Sequence, residues 1–100
     1  TFVENIVEAN LRAAETPGLA GQAFNVACAE RITVNALVAR IGEILGLPAK
    51  AAYEPPRPGD IKHSFADIGR AVAGMGFAPR GLFDEGLRRT VAWYKEHFPL

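Results

Sequence analysis

Between Pro55 and Gly59 the chain places three prolines and a glycine within five residues. Proline fixes φ and has no N–H to donate, so neither a helix nor a central strand can run through this stretch. Regular structure has to be built on either side of it. Inside it, Arg57-Pro58-Gly59-Asp60 carries proline at the second turn position and glycine at the third. That is the pattern of a type II turn, whose third residue needs φ > 0. The turn brings its first and last Cα atoms within about 7 Å. A guanidinium and a carboxylate are then held side by side. The first is a planar fork of donors suited to phosphate, and the second is an acceptor suited to sugar hydroxyls. The four residues equally allow the two charges to pair with each other on a solvated turn, which would be worth little.

The hundred residues make about one small domain, 49% apolar and 22% charged, an ordinary globular balance. Eleven basic and eleven acidic side chains cancel. Charge therefore supplies no reason to expect nucleic acid or a membrane surface as partner. Cys28 is the only cysteine, which excludes an internal disulfide and fits a reducing, cytoplasmic setting. The chain opens on Thr1-Phe2-Val3 rather than methionine, as mid-protein sequence does, so a piece of something longer is expected.

Local signals place four helices. Asn5 followed by Glu8 resembles a capping box opening a helix with Ile6, Val7, Leu11 and Ala14 on its apolar face, ending at Thr16-Pro17-Gly18. Thr33 is the expected N-cap of the clearest helix, with Val34, Leu37, Val38, Ile41, Ile44 and Leu45 at spacings of three and four. Gly46 suits a left-handed terminus, and Pro48 blocks continuation. Asp67 can cap a short helix holding Ile68 and Val72, broken by Gly74-Met75-Gly76. Phe77, Pro79 and Gly81 mark a loop, and a last helix runs from about Phe83 to His97 with Leu87, Val91, Tyr94 and Phe98 on its stripe.

Three further runs read as strands: Gln22 to Cys28, buried on both faces; Ala49 to Glu54; and Ile61 to Phe65. The expected class is α/β, or mixed α+β as an isolated piece, with helices packed on a small sheet in one unit over residues 1–100. A sheet of this size is marginal unless it borrows neighbouring strands.

No catalytic constellation is visible. Four positions after Tyr53 and Tyr94 stand Arg57 and Phe98, not lysine. His63 and His97 lack partners at metal-ligand spacing, and Cys28 reads as a small buried hydrophobe. Gly74-Met75-Gly76 follows a helix rather than a strand, with Gly81 out of register, so it is not a phosphate loop.

Nearly the whole chain resembles the C-terminal third of the extended short-chain dehydrogenase/reductases, the NAD-dependent epimerase/dehydratase family, and the nearest likeness is to UDP-glucose/galactose-type 4-epimerases. The motifs that carry the likeness come in order along the chain: Phe2-Val3-Glu4-Asn5, Phe24-Asn25-Val26, Ile32-Thr33-Val34, Arg57 to Ser64 with Ala66-Asp67, Gly76-Phe77-Ala78-Pro79, and Gly86 to Val91 with Trp93-Tyr94. The resemblance implies a Rossmann-type epimerase of which this is the C-terminal, nucleotide-sugar-binding portion. It implies that Arg57 contacts the diphosphate of a UDP-sugar and that Asp60 accepts from the ribose hydroxyls. NAD would belong to the parent enzyme and not be bound by this chain alone, because the glycine-rich dinucleotide loop and the Tyr-x-x-x-Lys pair fall upstream of anything here.

Three positions depart from the family pattern. Asn5 stands where aspartate is common, Ala27-Cys28-Ala29 replaces a glycine-rich continuation, and Gly69 should weaken its helix. The alternative reading is a stand-alone, non-enzymatic binding or interaction module derived from such an enzyme. A third is a truncated product that forms homo-oligomers through exposed strand edges.

Overall fold

The computed structural model describes residues 1–98 and contains four helices: α1 (Val3–Glu15), α2 (Val34–Leu45), α3 (Gly69–Met75) and α4 (Phe83–His97). Among the described residues there is no strand, so the expected α/β or α+β arrangement with a small sheet is overturned. The runs 22–28, 49–54 and 61–65 carry no ladder. A strand is completed only by a neighbour that accepts and donates its backbone hydrogen bonds, and two or three short runs do not sustain a sheet by themselves.

The chain divides into two compact units. One comprises Thr1–Glu30 and Phe65–Gly86; the other comprises Arg31–Ser64 and the residues from Leu87 onward.

The first unit holds a small core of Ala9, Ala71, Met75 and Phe77, with Leu19, Phe24, Val26 and Ile68 packed against it. Phe24 and Val26 come from a run expected to be a strand; they reach the core from a segment with no regular structure. Helix α3 ends at Gly76, in the left-handed region at φ +63°, with the Gly76 N–H bonded to Val72 O and the Phe77 N–H to Ala71 O. This closure turns the residue after the glycine back onto its own helix, where an apolar side chain packs. Phe77, expected in a loop, is consequently 1% exposed.

Helix α1 differs from its sequence reading in two ways. It begins at Val3 with Phe2 as an N-cap that offers no side-chain bond, so Asn5 lies inside the helix and is no cap. Its buried positions are Asn5 and Ala9, whereas Val7 and Leu11 of the expected stripe are about half exposed, at 51% and 55%. Its end is as expected: Thr16 closes the last turn by donating from both N–H and Oγ1 to Arg12 O. The Glu8–Arg12 ion pair, at 2.7 Å, joins successive turns on one face.

Asp67 supplies an N-terminal acceptor for α3, although Ile68 occupies the cap position: Asp67 Oδ1 accepts from the Gly69 N–H at 2.8 Å. A Cβ on Gly69 would stand 3.0 Å from that oxygen, so the glycine accommodates the cap. The start of α4 is capped from afar, with the Phe83 N–H donating to Glu30 Oε2 at 2.8 Å. A carboxylate there also meets the positive end of the helix dipole, to which Asp84 and Glu85 add.

In the second unit, α2 has the termini its sequence specifies. Thr33 Oγ1 accepts from the Ala36 N–H at 3.1 Å. Gly46 takes φ +67°, and the Leu47 N–H returns to Gly42 O at 2.9 Å. The chain after α2 folds back so tightly that a Cβ on Gly42 would stand 2.9 Å from Leu47 O. Near the end of α4 the Trp93 ring stacks on His97 at 4.3 Å and meets Tyr94 edge-on at 5.2 Å.

Candidate functional site

The turn at residues 57–60 forms as its composition requires. The Asp60 N–H donates to Arg57 O at 3.2 Å, and Gly59 sits at φ +88°. A side chain at this φ would be strained, which is the reason for glycine between Pro58 and Asp60. The turn brings together the two residues singled out from sequence: Arg57 Nε lies 3.4 Å from Asp60 Oδ2. Both are well exposed, with 82% and 61% of their side-chain surface open. The two charges therefore engage each other on the surface, the simpler of the two arrangements the tetrapeptide allows. Solvent screens such a pair, and it contributes little to stability.

The flanking segment is equally open: every residue from Gly46 to Phe65 is exposed. Tyr53 OH donates to Asn35 Oδ1 at 3.3 Å, tying this segment to the first turn of α2. Lys62 and His63 follow the turn on the same exposed stretch. What the region offers chemically is a preformed bend presenting a cationic fork and an anionic acceptor on an exposed stretch.

Other chemistry-bearing residues do not gather there. Among the described residues no group of three or more His, Cys, Asp or Glu is placed to hold a metal ion. His97 directs Nδ1 to Trp93 O at 2.8 Å within its own helix. Cys28 is half-buried, and its Sγ lies 3.1 Å from Asn5 Nδ2. Among the described residues no helix is long and apolar enough to cross a membrane.

Asn5 is the polar residue that sequence reasoning misplaced. It is 2% exposed, accepts from the Arg80 N–H at 2.7 Å and donates to Gly81 O at 3.4 Å. The signal was an amide set among apolar neighbours early in a helix, which a cap and an internal bridge share.

With this geometry in place, the chain can be set beside known proteins. It is 33% identical over 94 residues to a UDP-glucose 4-epimerase of Mycolicibacterium smegmatis, covering 94% of this chain and 30% of that protein. It is 33% identical over 69 residues to a UDP-glucuronate 4-epimerase of Thermodesulfobacterium geofontis, covering 69% of this chain and 21% of that one. A dTDP-4-dehydro-6-deoxy-D-allose reductase from Streptomyces is 32% identical over 95 residues, or 95% of this chain and 28% of the enzyme. These matches bear out the resemblance to the extended short-chain dehydrogenase/reductases. The chain spans about a third or less of the length of these relatives. No family model matches the chain, and no solved structure matches it.

Proposed function

We propose that this chain is the nucleotide-sugar-binding portion of an NAD-dependent sugar epimerase or dehydratase, in which Arg57 holds the diphosphate and Asp60 the ribose hydroxyls. The reading rests on the likeness to the relatives, since the turn itself takes the self-paired, solvent-facing arrangement, which speaks against a ligand role. The turn nevertheless holds a guanidinium and a carboxylate 3.4 Å apart while leaving both mostly open to an incoming ligand. Exchanging so exposed a pair for a ligand costs at most about 1 kcal/mol. A charge-assisted, forked contact to a diphosphate is worth more than that. The relatives add support, since each of the three is named for a nucleoside-diphosphate sugar.

In such an enzyme NAD would supply the redox chemistry from outside these hundred residues. The chain contributes no Tyr-x-x-x-Lys pair, because Arg57 and Phe98 stand four places after Tyr53 and Tyr94. Its role is to anchor the part of the substrate that does not react. Binding energy from a remote handle positions the reacting carbon and so contributes to rate.

Titration of the chain with UDP and with a UDP-sugar, followed by NMR shifts or calorimetry, tests this. Saturable binding that is lost in Arg57→Ala and weakened in Asp60→Ala is expected. Absence of binding at millimolar nucleotide, or binding indifferent to Arg57, would overturn the assignment.

A further inference from the structure

We draw no further inference here: the strongest candidate, the exposed apolar stripe of Val3, Val7 and Leu11 along α1, is an unpartnered helix face, and nothing in the structure shows what covers it.

Discussion

The Arg80 backbone N–H donates to the side-chain oxygen of Asn5 at 2.7 Å, joining α1 to the loop before α4 across 75 positions of sequence. The Asn5 amide nitrogen reaches Gly81 O and Cys28 Sγ from the same buried position, so one side chain connects three segments of the first unit. Replacing Asn5 with alanine leaves the Arg80 N–H and the Gly81 carbonyl without this partner. A buried group stripped of its hydrogen bond costs about 1–3 kcal/mol. Urea denaturation should show Asn5→Ala destabilised by that order; a loss below about 0.5 kcal/mol would mean that water replaces the amide at no cost.

Gly86, inside α4, lies against Phe2. A Cβ built there would stand 2.7 Å from the Phe2 Cβ and 2.8 Å from its Cγ. Alanine normally gains about 1 kcal/mol over glycine within a helix. Overpacking at such distances costs about 1–3 kcal/mol, so the clash is expected to win. Thermal melts of Gly86→Ala, Phe2→Ala and the double variant should be strongly non-additive, with the double variant recovering much of the Gly86→Ala loss. Strict additivity would show that the two residues do not touch in solution.

Ala29 has φ +53° and is the non-glycine residue with positive φ among those described. An L-residue in this region bears roughly 1–2 kcal/mol of strain. Glycine removes the strain but adds about 0.4–1 kcal/mol of unfolded-chain entropy. Ala29→Gly should therefore raise stability slightly, by up to about 1 kcal/mol, in a denaturant titration. A clear loss would place Ala29 outside the left-handed region.

The Arg57–Asp60 pair should be nearly silent in stability. Both side chains are mostly exposed, so Arg57→Ala and Asp60→Ala should each shift the denaturation midpoint little, within about 0.5 kcal/mol. Gly59→Ala should cost more, because its φ of +88° admits a side chain only with strain. If the pair rather than the glycine dominated the stability of the turn, the order of these effects would reverse. Near-silence in stability also means that any nucleotide affinity lost in Arg57→Ala reports on contact with ligand rather than on unfolding.

The parts of the fold legible in advance are those written within a few residues. Thr33 and Gly46 bound α2 because a cap needs an acceptor three positions from its donor and a terminus needs one residue free to adopt φ > 0. The turn at 57–60 was legible for the same reason, and with it the adjacency of Arg57 and Asp60. The face of α1 was not. Its apolar stripe pointed to Val7 and Leu11, yet Asn5 and Ala9 are the positions covered, because burial depends on what lies opposite. Glu30 as the cap of α4 was hidden too, its acceptor and donor being 53 positions apart.

The amino-acid order alone determined where helices stop, which backbone positions need glycine, and which two opposite charges share one bend. Each of these follows from sterics and hydrogen bonds reaching no further than about four or five residues. Only the tertiary structure decided that the apolar runs at 22–28, 49–54 and 61–65 remain without a ladder, that Phe77 belongs to the core, and that Asn5 bridges rather than caps. Strand pairing and burial are completed by partners distant in the chain, and local patterning carries no record of whether those partners are in reach.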